Sequence, residues 1–385
     1  MKEKISKRQF LKKGSLAFCG LSCGIFTNDI FADSSNFSNS RINLGDFDSK
    51  FSIEAKYYIQ TPKGIKCQLC PNVCNIKENE VGECRTRINK NGQLICFAYG
   101  NPCAVHIDPI EKKPLYHFYP GSKIYSIATA GCNLACLNCQ NWEISQSSPL
   151  DTRNYNLLPD KLLEDCKSQK CNSIAYTYSD PVAFYEYTLE TSKIAKAEGI
   201  KNVLVSAGYI NEEPLKEWCK YIDAANIDLK SFSNDVYEML NAGTLEPVLN
   251  TLKILQDNGV WLEITNLIVP NWTDDLDMIK KMCDWLVSNG FQNQPLHFSR
   301  FHPQYKLTNL PVTPLNTLTR AKEIATSAGL NYVYIGNVPG NDYSNTYCPN
   351  CNRKVIDRKG YKILQKNISM QKCNYCKTTI NGIWQ

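Results

Sequence analysis

The sequence predicts an α/β fold in which parallel strands are screened by helices, with one cysteine-rich module before this region and another after it. Three observations carry the expectation. Strand-length apolar runs alternate with helix-length segments between residues 124 and 335, the pattern of repeated strand–helix units. The first of these strands runs into a glycine and three closely spaced cysteines. Two further groups of four cysteines flank the alternating region.

At 385 residues the chain exceeds the usual size of one domain, so a large central domain with appendages is expected. Residues 1–32 have a basic start, Ser6-Lys7-Arg8-Gln9-Phe10-Leu11-Lys12, an uncharged run over 14–28 and a small residue, Ala32. This is the layout of an export signal. It resembles a twin-arginine signal with lysine in place of the first arginine, a route for folded, cofactor-loaded proteins, and it predicts an exported, periplasmic protein rather than a cytoplasmic one. The same segment holds six Lys/Arg and two Asp/Glu, so +4 of the net charge of +6 sits there. The remaining +2 leaves no basic stripe of the kind nucleic acid requires. Residues 33–52, rich in Ser, Asn and Asp without a sustained period, read as a linker.

Residues 53–122 form the first cysteine-rich module, with Cys67, Cys70, Cys74 and Cys84 spaced x2, x3 and x9. Asn91-Gly92 before the strand-like run 93–99 is a hairpin signal. Four soft ligands on a loop-rich stretch suit either a structural zinc or an auxiliary iron–sulfur cluster, and spacing alone does not choose.

Residues 123–340 form the expected central domain. Its first strand, 124–130, ends at Gly131, which permits a sharp turn, and Cys132, Cys136 and Cys139 follow at x3 and x2 spacing. Three thiolates suit a cubane iron–sulfur cluster with one iron left open to an exogenous ligand; a structural zinc normally takes four. Strands are then expected at 173–178, 202–207, 224–229, 261–269, 296–301 and 332–335, separated by helices at 160–170, 182–199, 212–221, 247–258, 274–289 and 314–328. Polar groups cluster at several strand ends: Ser179 and Asp180, Ser206, Asp228 and Lys230, and Arg300 and His302. Asp180 before Pro181 also has the form of a helix N-cap.

Residues 341–385 carry Cys348-x2-Cys351 and Cys373-x2-Cys376. Two such knuckles form a zinc-ribbon-like module in which zinc is the expected metal. The other cysteines of the folded region, Cys96, Cys103, Cys166, Cys171, Cys219 and Cys283, stand singly and read as small buried hydrophobes. No apolar run beyond residue 32 approaches the length of a membrane span.

The loop 132–139 resembles the signature of the radical S-adenosylmethionine (SAM) enzymes. Cys139-Gln140-Asn141-Trp142 resembles the branch containing the pyruvate formate-lyase and other glycyl-radical-enzyme activases. The stretches 108–118, 128–133, 297–303 and 334–337 look like the radical SAM component of the AmmeMemoRadiSam system, a resemblance covering about residues 55–385. It implies a partial (β/α) TIM-type barrel with reactive groups at the C-terminal strand ends, a [4Fe-4S] cluster on Cys132, Cys136 and Cys139, and SAM cleavage to a hydrogen-abstracting 5'-deoxyadenosyl radical. It further implies SAM contacts from Asn138, Gln140, Ser179, Asp180, Asp228, Lys230 and His302, with Asn138 standing where relatives carry an aromatic residue. A reductant such as flavodoxin or ferredoxin is the implied partner, with either a protein or a small molecule as substrate. The rival expectation is an electron-transfer or zinc-assembled binding protein that leaves SAM intact.

Overall fold

A computed structural model describes residues 49–340 and 342–384. The expected export signal and most of the linker lie outside the described residues. A short 3-10 turn, Ser49–Phe51, leads into β1 (Ile53–Glu54), close to where the folded body was expected to begin.

The first module is two small antiparallel sheets. β2 (Tyr58–Thr61), β3 (Gly64–Cys67) and β4 (Asn75–Ile76) make one; β1 pairs with β6 (Gln93–Cys96), and β6 pairs with β5 (Arg87–Lys90), to make the other. The β5–β6 turn is Asn91-Gly92, with φ of 52° and 75°, the double left-handed geometry that a tight hairpin needs. Because Tyr99 and neighbouring residues turn away, β6 is shorter than the run 93–99.

The central sheet has eight strands in the order β14-β13-β12-β11-β10-β9-β8-β7. They are β7 (Ala104–Pro109), β8 (Lys123–Ala128), β9 (Ser173–Tyr176), β10 (Lys201–Ser206), β11 (Ala224–Asp228), β12 (Trp261–Ile268), β13 (Leu296–Arg300) and β14 (Val333–Gly336). β8 to β14 are parallel, the seven strands expected, whereas β7 runs antiparallel to β8 over six residue pairs. Sequence placed residues 104–109 in the cysteine-rich module; their hydrogen bonds go to the central sheet. All four residues of β9 are buried, as strands covered on both faces require.

The helices screening this sheet follow the apolar period. Leu276–Ser288 buries Ile279, Met282, Cys283 and Leu286, and its N-cap Asp275 accepts from the Asp277 and Met278 amides, which relieves orphan donors of the first turn. Leu315–Ala328 ends on Gly329 at φ 110°, a left-handed cap that glycine adopts without a Cβ penalty. Between β7 and β8 the chain folds against the strand starts, where Ile110, Leu115 and Phe118 share a core with Ile124, Ala175, Val203 and Ala224.

β15 (Thr346–Tyr347), β16 (Lys354–Lys359) and β17 (Lys362–Lys366) make a three-stranded antiparallel sheet, and β18 (Ile368–Ser369) pairs with β19 (Lys372–Cys373). Their core, including Val355, Ile356, Ile368 and Ile380, continues onto Tyr116, Tyr332 and Tyr334. A buried carboxylate anchors this seam. Glu263 accepts from the Tyr116 and His117 amides at 2.9 and 2.7 Å and meets His297 Nε2 at 2.7 Å. Arg358 donates to the Tyr116 carbonyl at 2.7 Å. No helix among the described residues is long and apolar enough to cross a membrane.

Candidate active site

β8 delivers its chain to Gly131, whose φ of 103° and lack of a side chain are both used: a Cβ there would lie 2.5 Å from the Cys84 carbonyl oxygen. The loop beyond is held by backbone bonds rather than by regular structure. The Ala135 and Leu137 amides donate to the Asn241 and Leu240 carbonyls, and the Gly131 amide donates to Ile144. Asn241 ends a single π-helical turn, Tyr237–Asn241, an irregularity common at functional sites. Cys132, Cys136 and Cys139 are thereby presented from one loop, with Cys136 buried and the other two partly so.

The charged strand ends converge on these thiols. Lys230 Nζ lies 2.9 Å from Asp228 Oδ2. Against the lowering effect of burial, the fields of Asp228 and Cys136 hold the Lys230 ammonium well above its ordinary value. Burial pushes Cys132 up, reinforced by Asp180, and pushes Cys136 up against the opposing field of Lys230. Buried thiols of this kind ionise when they coordinate a metal.

Asp180 is buried, and its carboxylate accepts from the Val182 amide at 3.0 Å, the Ala207 amide at 2.8 Å and the Ser206 hydroxyl at 3.1 Å. It is thus the N-cap of the 3-10 turn Pro181–Phe184 as well as a neighbour of Cys132. Burial raises its pKa despite these donors. Ser179 donates to the Thr129 carbonyl at 2.6 Å. Asn138 is buried with its Oδ1 lacking a partner among the described residues, as are Thr129 Oγ1 and Asn133 Oδ1. Gln140 is exposed on the loop. His302 is exposed, with Nε2 3.4 Å from the Asn337 carbonyl oxygen.

Sequence reasoning missed the cover of this loop. Lys306 donates its amide to Leu137, and Tyr305 stacks on Trp142 with ring centroids 5.2 Å apart. Both belong to the irregular segment after β13, whose position no local periodicity encodes.

Donor spacing separates the cysteine groups. Cys348, Cys351, Cys373 and Cys376 are the one set of metal-ligating atoms among the described residues gathered within 4.8 Å. Their Sγ pairs 348/376 and 351/373 lie 3.5 and 3.8 Å apart, matching the roughly 3.8 Å that tetrahedral zinc–sulfur bonds impose. Cys132, Cys136 and Cys139 are not gathered within 4.8 Å of one another, and three thiolates suit a cubane iron–sulfur cluster with one open iron. The donor set and the unpartnered polar atoms around it fit an iron–sulfur cluster with a polar ligand.

Comparison with known proteins bears on the chemistry. The Radical SAM superfamily model matches residues 126–286. A Methanocaldococcus jannaschii protein, Uncharacterized protein MJ0808, is 44% identical over 331 residues, spanning 85% of this chain and 98% of that protein. The chain is a radical SAM enzyme of the same family as that protein. Similarity to the pyruvate formate-lyase-activating enzyme of Staphylococcus aureus is lower, 26% over 194 residues, covering 46% of this chain and 76% of the relative. Among solved structures, Streptococcus suis SuiB bound to S-adenosylmethionine aligns with a TM-score of 0.43 at 15% identity, over 59% of this chain and 53% of that one. The family requires a [4Fe-4S] cluster and SAM, and this activase-like radical SAM enzyme has the thiol loop to hold the cluster.

Proposed function

We propose that this enzyme abstracts hydrogen from a protein or small-molecule substrate, with Cys132, Cys136 and Cys139 as the cluster ligands inside a partial (β/α) barrel. The cluster and SAM, when bound, supply reductive cleavage of the sulfonium to methionine and a 5'-deoxyadenosyl radical. The carrying observation is the meeting of three thiols with Lys230, Asp228 and Asp180 at the ends of parallel strands. Lys230 and Asp228 face the polar end of SAM, its amino and carboxylate groups, while Ser179 and Asp180 fix the wall behind them. Asn138 offers its amide toward the adenine in place of a stacking ring. Gln140 and His302 complete the binding set from the exposed rim. Covering the loop with Tyr305 and Trp142 excludes water from the reacting space.

The AmmeMemoRadiSam assignment belongs to this reading. It is supported by the meeting of two of its motifs on Glu263, through Tyr116, His117 and His297, and of a third with His117, through Tyr334. A flavodoxin or ferredoxin supplies the electron, zinc occupies the C-terminal quartet, and residues 1–32 direct export.

The test is 5'-deoxyadenosine formation by anaerobically reconstituted protein with SAM and a strong reductant, beside the Cys132/Cys136/Cys139→Ala triple variant. Product from the parent alone is expected. Equal traces from both, with the parent's cluster intact and reduced, would return the protein to the electron-transfer class.

A further inference from the structure

Cys67, Cys70, Cys74 and Cys84 all line one small cavity, together with Arg87 and Asn133 and the apolar side chains of Leu69, Ile76 and Val182. The zinc-like quartet at the C-terminus provides an internal yardstick, with its four sulfurs within 4.8 Å of one another. Among the described residues no three of the N-terminal sulfurs come that close. Four thiols that line one cavity yet stand wider apart than the quartet suited to one ion match the broader ligand spacing of a polynuclear group. The chemistry of the wall agrees. Arg87 is fully buried and gives Nη2 to Glu186 at 2.6 Å, while its Nε and Nη1 have no hydrogen-bond partner among the described residues. A buried guanidinium with two idle donors calls for nearby negative charge, and four thiolates supply it.

We infer that Cys67, Cys70, Cys74 and Cys84 hold a second iron–sulfur cluster, fully ligated by the chain and seated directly against the reaction-centre loop. The contact between the two sites is specific. Asn72 Nδ2 donates to the Asn133 carbonyl at 2.7 Å, Asn133 itself lines the N-terminal cavity, and the Cys84 carbonyl rests on Gly131. The two neighbours of Cys132, Gly131 and Asn133, thus both touch the N-terminal module. Full ligation by four cysteines leaves no open iron, so this group is distinct in kind from the one that binds SAM. The location relative to the reaction centre rests on the reading of Cys132, Cys136 and Cys139 given above; the identity of the group does not.

The experiment measures iron, acid-labile sulfide and zinc in the full chain after anaerobic reconstitution, with electron paramagnetic resonance of the reduced protein. The parent is expected to hold more iron and sulfide than the roughly four of each in one cubane. The Cys132/Cys136/Cys139→Ala variant is expected to keep a reducible iron–sulfur signal, and a Cys70→Ala/Cys74→Ala variant to lose that component while keeping the signal of the other site. One zinc per chain retained in each variant reports that the fold persists. A parent with no more than one cubane's iron and with two zincs per chain overturns the inference. A parent with the full iron content that forms no 5'-deoxyadenosine sinks the radical reading instead and leaves this one standing.

Discussion

At the scale of single residues, two positions carry demands that neighbouring side chains do not share. Gly131 combines φ 103° with backbone 2.5 Å from where a Cβ would stand. Gly131→Ala is therefore expected to cost about 1–3 kcal/mol from backbone strain alone, with a lower iron content after reconstitution; an unchanged melting temperature and unchanged iron would contradict this. Asp180 accepts from two amides and a hydroxyl, so Asp180→Ala leaves buried donors unpaired and should lose about 1–3 kcal/mol in a urea titration. Asp180→Asn retains an acceptor and should recover most of that loss. If its SAM affinity, read by equilibrium binding, nevertheless falls, the carboxylate charge reaches the ligand and the residue is more than a cap. The residue types at this site were legible because thiols, carboxylates and lysine announce their chemistry. The capping duty of Asp180 was legible as well, from Pro181 after it; its bonds to Ser206 and Ala207 were not, since those partners lie 26 and 27 positions along the chain.

Between elements, the strongest single tie of the first module is the Arg87–Glu186 pair, which joins β5 to the helix Tyr185–Ala197 with both side chains buried. Removing one partner strands a charge in the interior, so Glu186→Ala should destabilise by about 3–5 kcal/mol, whereas exposed Lys280–Asp284 on the helix Leu276–Ser288 should be worth under about 1 kcal/mol. Chemical denaturation of the two variants side by side checks the ratio. The alternating strands and helices could be read from sequence because buried parallel strands are apolar runs bounded by turns. β7 could not: Ala104–Pro109 alternates weakly, exposing His106 and Ile107, and only its pairing with β8 makes it part of the central sheet.

For the whole molecule, the seam around Glu263 couples the C-terminal module to the sheet and sets an acid response. Burial pushes His117 down to about 4, between Tyr334, the Asn381 carbonyl, Glu263, His297 and Arg358. Glu263 is also held below its ordinary value, because His297, His117 and the Tyr116 amide outweigh burial. Both folded-state values are depressed, so the unfolded chain takes up protons first as pH falls. Stability should be full above about pH 6.5, decline by roughly 2–3 kcal/mol toward pH 4 through His117, and fall further as Glu263 protonates. Urea midpoints measured between pH 7.5 and 4.5 test the direction, and His117→Gln should flatten the upper part of the curve. Stripping metal from the C-terminal quartet with a chelator should expose the C-terminal sheet to protease while the central sheet keeps its circular dichroism, because Cys348, Cys351, Cys373 and Cys376 all lie in that module.

Reading the chain alone was enough for the class of fold, the radical SAM resemblance and the metal-ligating character of the C-terminal cysteine quartet, since periodicity and thiol spacing are local properties. It left open which cysteines gather their sulfurs within reach of one ion, because ligand spacing depends on where loops are held by distant backbone. It also left open the meeting of residues 116, 117, 263, 297 and 334 in one buried network. Those contacts join segments as much as 217 positions apart, and only packing brings such residues together.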